Sequence, residues 1–241
     1  MNRNAYIGMN VESLFANSIG DNPSIVAKIQ KYFRIEARFT NAIRTGIHSE
    51  KGDVKMEFAD GHNIDANIKA FNKSGIAYNQ LTRTPIANFC KLFFDSEMQV
   101  ELERLFKAKA RDKKTQVFPE AVRPRIKVAV EVQAENILKW AFSFKESREI
   151  LVIYERQRSM MYIYPMKEVL ANLSREVNFT KRGNIAIGEL VVLQRKGGNG
   201  IHSIHIPKDS LKHPGNNVQL KLKMNEFVET MESVLLASYH I

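Results

Sequence analysis

At 241 residues the chain is long enough for one sizeable core or two small ones, and its 36 Lys and Arg against 26 Asp and Glu leave a formal charge of +10 that favours a polyanionic partner. A single cysteine, Cys90, excludes an internal disulfide and any thiolate metal cluster, and its apolar setting reads as a buried small hydrophobe in a reducing compartment. No apolar run approaches the roughly 20 residues of a membrane span and the polar N-terminus lacks a signal-peptide core, so the expected location is cytoplasmic.

Taken in order, Val11, Leu14, Phe15 and Ile19 predict a short helix that carries Glu12. Asn22 can cap a second helix with Pro23 at its first position and Ile25, Val26, Ile29, Tyr32 and Phe33 as its stripe. Two alternating runs, 53–58 and 64–69, read as the arms of a β-hairpin. Residues 98–114 predict a helix that grows basic toward its end, and 135–144 a second around Trp140. Strands are expected at 150–154 and 160–164, with Met160 and Met161 read as core, followed by a short helix at 167–173. Strands at 185–194 and 201–206 and a helix at 224–236 complete a mixed α/β pattern. No repeat, low-complexity tract or linker divides the chain, so a single domain over 1–241 is expected.

The hairpin is where chemistry is concentrated. A loop over Asp60, Gly61 and His62 pairs Phe58 with Ile64, Met56 with Ala66 and Val54 with Ile68, which collects every apolar residue on one face. On the polar face this register sets Asp53 opposite Lys69, with Asn67 as the diagonal neighbour of Asp53. A carboxylate, an amide oxygen and an ammonium so arranged suit phosphodiester hydrolysis, which needs a cation on a phosphate oxygen and positive charge where the phosphorane develops. Magnesium takes one or two carboxylates plus substrate phosphate and water, so Asp53, the Asn67 side-chain oxygen and the backbone carbonyl of Ile68 would form a sufficient ligand set. Lys69 would stabilise the anion or orient the attacking water. An exposed hairpin face of mixed charge presents the same pattern with no chemistry at all.

The charge is clustered. Residues 104–127 hold nine basic and two acidic side chains, and 181–223 hold eight and two. Such clustering favours phosphate contacts, although a solvated face looks the same. Arg195-Lys196-Gly197-Gly198-Asn199-Gly200 follows an apolar strand ending at Gln194, and its glycines would let backbone approach a groove in which Arg and Gln can read base edges. The alternative is a plain loop. It is not a nucleotide-binding P-loop, because no Gly-Lys-Ser/Thr follows. His202 and His205 would fall on opposite faces of a strand and make a poor metal pair.

Gly52-Asp53, Asn67-Ile68-Lys69, Asn79-Gln80-Leu81-Thr82-Arg83 and Gln194-Arg195-Lys196-Gly197-Gly198 together resemble the small type II restriction endonucleases of the PD-(D/E)XK superfamily. The likeness is to the HinP-type cutters of GCGC and, more distantly, to MspI. It continues through Glu168-Val169-Leu170 and Arg182-Gly183-Asn184-Ile185, and is loose between Cys90 and Glu149. The resemblance implies an α/β, restriction-endonuclease-like core with a central mixed β-sheet flanked by helices, and magnesium-dependent cleavage of double-stranded DNA at a short, four-base palindrome. By position Asp53 would bind metal, Asn67 would stand in the slot where the superfamily usually has Glu, and Lys69 would be the catalytic lysine. Glu12 would lie near the metals. Gln80, or Asn79 beside it, would enter the duplex from the minor groove with Arg83 alongside. Arg195 and Lys196, with Gln194 and Gly197, would read the major groove. A cognate DNA methyltransferase would belong to the same restriction-modification system without being a stable subunit, and the enzyme would act as a monomer or weak homodimer. A non-catalytic DNA- or RNA-binding protein, or a structure-specific repair nuclease, are the competing readings.

Overall fold

A computed structural model describes residues 3–45, 52–72, 77–145, 148–198 and 203–241. In chain order the elements are α1 (Arg3–Ser18), α2 (Pro23–Phe33), β1 (Phe39–Arg44), β2 (Val54–Phe58), β3 (Asn63–Phe71), β4 (Tyr78–Pro85), α3 (Ile86–Phe93), α4 (Ser96–Arg111), α5 (Arg123–Ala141), β5 (Glu149–Glu155), β6 (Met160–Pro165), α6 (Met166–Asn172), β7 (Val177–Phe179), β8 (Ile185–Ile187), β9 (Val191–Arg195), β10 (Asn217–Lys223), α7 (Met224–Thr230) and β11 (Ala237–His240). They gather into two compact units, one of Met1–Asn79, Ser143–Asn172 and Met224–Ile241, the other of Gln80–Phe142 and Leu173–Lys223.

The first unit is built on a six-stranded sheet in the order β1-β2-β3-β5-β6-β11. Only β3 and β5 run parallel, and the other neighbours are antiparallel, so this is the mixed α/β architecture expected. One face packs α1 and α2 through Val11, Phe15, Ile25, Val26 and Ile29 against Val54, Met56, Ile64, Ala66, Ile150 and Val152, all buried. The opposite face of β5 is buried as well, at Leu151 and Ile153, which is why that strand reads as a continuous apolar run. The second unit holds a five-stranded sheet, β4-β10-β9-β8-β7, with α3, α4 and α5. Asp95 begins α4 by accepting the N–H of Met98, and Cys90 on α3 is fully buried, as expected.

Several elements differ from expectation. The helix around Trp140 starts at Arg123, not Glu135; the alternating Val128, Val130 and Val132 hide its period, while Ile126, Val130, Ala134, Ile137 and Leu138 form its buried stripe. The expected strand over 185–194 is two strands, broken at a turn where Gly188 has φ +58°. Of the strand expected at 201–206, residues 201 and 202 lie outside the described residues, and Ser203 to Ile206 form turns. The final helix stops at Thr230, and Ala237–His240 instead pairs with β6. The edge strand β1 and helix α3 carried no clear periodic signal.

Candidate active site

The hairpin forms, with a different register. Phe58 donates its N–H to the His62 carbonyl, Gly61 donates to Phe58, and the Asp60 carboxylate accepts the His62 N–H, which closes the turn earlier than expected. The pairs are therefore Val54 with Ala66, Lys55 with Asp65, Met56 with Ile64 and Glu57 with Asn63. Relative to expectation the shift is two residues. Because side chains alternate with a period of two, such a shift keeps each residue on its face, and Val54, Met56, Phe58, Ile64, Ala66 and Ile68 are all buried as foreseen. What changes is the pairing on the polar face, where Lys55 lies across from Asp65 and Glu57 from Asn63, while Asp53 falls just beyond the last regular pair and not opposite Lys69.

The regular ladder ends at Val54, and the break makes the site. In an unbroken ladder of this register Gly52 would lie across from Ile68. Instead Gly52 adopts φ +88°, and a Cβ there would meet the Asp65 Cβ at 3.2 Å, so the position favours glycine twice over. Its carbonyl accepts from Thr45 Oγ1 at 2.6 Å, and the Asp53 N–H bonds to the Ala66 carbonyl at 2.8 Å. The N–H of Ile68, left without Gly52, donates to Asp53 Oδ2 at 2.6 Å. A side chain thus completes the edge of β3 and is fixed by doing so.

Lys69 Nζ lies 3.9 Å from the same Asp53 oxygen and donates to the Ile68 carbonyl at 3.3 Å. Both side chains are partly open to solvent, Lys69 at 20% and Asp53 at 33%, so the pair is reachable from outside. Asn67 and Lys69 share one face of β3, with Leu151 and Ile153 as their parallel neighbours on β5. Glu12 has an arginine as its partner. Its Oε2 accepts from Arg44 Nε at 3.2 Å and from Nη2 at 3.1 Å, and Arg44 pairs with Val54, whose side chain faces the α1 side of the sheet. Among the described residues no three His, Cys, Asp or Glu side chains gather as a metal cage.

The DNA-reading candidates other than Asn79 belong to the second unit. Asn79, at the end of the first, ties its amide to the Ala70 carbonyl at 2.9 Å. Gln80 on β4 is exposed and accepts from Gln219 Nε2, while Gln219 Oε1 accepts from Gln194 Nε2 at 3.5 Å. Since β10 lies between β4 and β9, the three amides form one row across the sheet. Arg195 donates Nε to Asn216 Oδ1 at 2.7 Å, and burial lowers its affinity for the proton from the usual arginine value. Asn216 is fully buried and gives both amide hydrogens to the carbonyls of Lys208 and Ser210. Gly197 and Gly198 follow with φ +68° and +86°, a pair of left-handed positions that carry the chain out of β9. Arg83 is exposed on β4; Asn199, Gly200 and His202 lie outside the described residues. Gln219 and Asn216 gave no sequence signal, because a lone amide in or beside an apolar strand is not a motif.

The charge divides along the same line. The second unit contains 21 Lys and Arg against 11 Asp and Glu, and the first has 15 of each, so the whole +10 resides in the second. None of the helices among the described residues is long and apolar enough to cross a membrane.

No protein-family model matches the chain, and no curated protein matches it. Among solved structures the chain is similar to the restriction endonuclease MspI in complex with its cognate DNA, at 12% identity and a TM-score of 0.47 over 88% of this chain and 82% of that one.

Proposed function

We propose that this chain is a magnesium-dependent type II restriction endonuclease that hydrolyses double-stranded DNA at a short palindrome, with GCGC the site implied by its sequence resemblance. The observation that carries the reading is the Asp53 carboxylate held on the Ile68 N–H with the Lys69 ammonium 3.9 Å away. The concentration of all net positive charge in the unit that bears Gln80, Gln194, Arg195 and Lys196 adds support, since phosphate neutralisation dominates DNA affinity.

The donor set fits magnesium by its chemistry. Asp53, the Asn67 amide oxygen and the Ile68 carbonyl are hard oxygen donors with a single negative charge, a set that substrate phosphate and water would complete. The Ile68 N–H occupies only Oδ2 of Asp53, which leaves Oδ1 for a cation. When bound, the metal would polarise a phosphate oxygen and lower the pKa of an attacking water. Lys69, 3.9 Å from Asp53, would give up its bond to the Ile68 carbonyl when that carbonyl takes the metal, and its ammonium would then offset charge developing on the phosphorane and hydrogen-bond the incoming water. Water adds to phosphorus, the bond to the 3′ oxygen breaks and that oxygen takes up a proton, giving 5′-phosphate and 3′-hydroxyl ends.

A second reading is favoured by the charge partition alone: a DNA- or RNA-binding protein whose neutral first unit is inert. Incubating an intact plasmid with the protein and magnesium separates the two. Discrete, reproducible fragments support the endonuclease. Retarded but uncut plasmid supports the binder, and cutting confined to branched or gapped DNA supports a repair nuclease.

A further inference from the structure

Gln219 is the buried member of the amide row, 8% exposed on a strand whose neighbours Val218, Leu220 and Leu222 are fully buried and apolar. An amide in such a strand is costly unless both its ends are bonded, and here both are: Nε2 donates to Gln80 and Oε1 accepts from Gln194. The row therefore has a direction. With its oxygen taken by Gln219, exposed Gln80 offers its amide nitrogen outward; with one hydrogen given to Gln219, Gln194 offers its carbonyl and its second hydrogen. The two outer amides thus present complementary patterns of donor and acceptor, the kind of pattern that base edges distinguish.

We infer that Gln219 is a positioning residue for specificity: it sets which way the amides of Gln80 and Gln194 face, and so couples the two base-reading side chains through one buried group. This rests on the proposed endonuclease function. Left alone, a surface glutamine amide turns over freely and reads donor and acceptor equally. Joined through one buried amide that must donate at one end and accept at the other, Gln80 and Gln194 can turn only together, which is how a residue that never touches DNA can govern discrimination.

The test uses the full chain. Gln219→Met keeps the volume and removes both bonds, and Gln219→Glu supplies two acceptors and no donor, which forces Gln80 to turn its carbonyl outward. Cleavage rates are compared at the preferred site and at sites differing by one base pair, with urea midpoints recorded for each variant. The expected result for Gln219→Met is a drop of about tenfold or more in the preferred-to-variant ratio, the worth of a hydrogen bond or two, with little change in affinity for unrelated DNA. Combining it with Gln80→Ala should add little to the loss from Gln80→Ala alone. For Gln219→Glu the ratio should fall even where its urea midpoint matches wild type, a result that a purely structural role for Gln219 does not give. Side-chain amide NMR signals of Gln80 and Gln194 should both move in either variant. Wild-type protein with no sequence preference overturns the function and this inference together. Wild-type protein that cuts specifically, with discrimination unchanged in both Gln219 variants, overturns this inference alone.

Discussion

Removing the Asp53 carboxylate should do two separable things, because that group both completes the edge of β3 and faces the proposed cation. Asp53→Ala deletes an acceptor 2.6 Å from the Ile68 N–H. A hydrogen bond to a charged group contributes about 1.5 to 3 kcal/mol, and Ile68 is only 8% exposed, so water replaces the lost partner poorly and the upper part of that range applies. Lys69→Ala removes an ion pair at 3.9 Å between two partly exposed groups, worth about 0.2 to 1 kcal/mol after solvent screening. Asp53→Asn keeps an oxygen for Ile68 and loses the charge, so its stability should lie between them. Catalytically the order should vanish: all three variants should cut DNA at least roughly 100-fold more slowly, the scale seen when one charge-stabilising group is removed from an active site. Urea denaturation should be followed by circular dichroism, since the single tryptophan, Trp140, lies outside the unit that holds the hairpin. Asp53→Asn or Lys69→Ala cutting within tenfold of wild type refutes the catalytic assignment. Asp53→Ala as stable as Lys69→Ala refutes the account of the β3 edge.

Arg195→Ala should cost about 1 to 3 kcal/mol of binding and relax preference at one base pair, measured by competition among single-base variants of the site; equal losses across all sequences would show a phosphate contact instead. Glu12→Gln should lower stability by about 0.2 to 1 kcal/mol through Arg44, and Arg44→Ala should match it in a urea titration; a loss of cleavage in Glu12→Gln far beyond that in Arg44→Ala would assign Glu12 to the metal site. Burial pushes the Cys90 thiol up to about 12, with Glu103 adding to the shift, so at pH 8 the thiolate is scarce and native protein should resist iodoacetamide while urea-unfolded protein reacts. Rapid alkylation of the native protein at pH 8 would contradict the buried placement of α3.

The hairpin was legible because its signal is local: two alternating runs around Asp60-Gly61 specify which residues face inward, and that parity survives a shift of two. Register was not legible to the residue. It depends on the Asp60 carboxylate bonding the His62 N–H and on the break at Gly52, both of which are backbone events that alternation does not report. Helix α5 was half lost for a related reason, since Val128, Val130 and Val132 mimic a strand while the true stripe runs at helical spacing through Ile126 and Val130. In the candidate site, Asp53, Asn67 and Lys69 were found by pattern and by resemblance. Glu12 was placed by resemblance, and the structure gives it Arg44 as a partner. Gln219 and Asn216 could not be found, because their meaning lies in Gln80, Gln194 and Arg195, which long stretches of sequence separate from them and which only the sheet brings together.

The most direct test of the central claim is to map DNA ends on a plasmid of known sequence after incubation with magnesium and either wild-type protein or Lys69→Ala. The account predicts that wild type cuts only at one short palindrome, leaving 5′-phosphate and 3′-hydroxyl ends, and that Lys69→Ala binds the same site without cutting it. Ends scattered without regard to sequence, or the same map from both proteins, would contradict it.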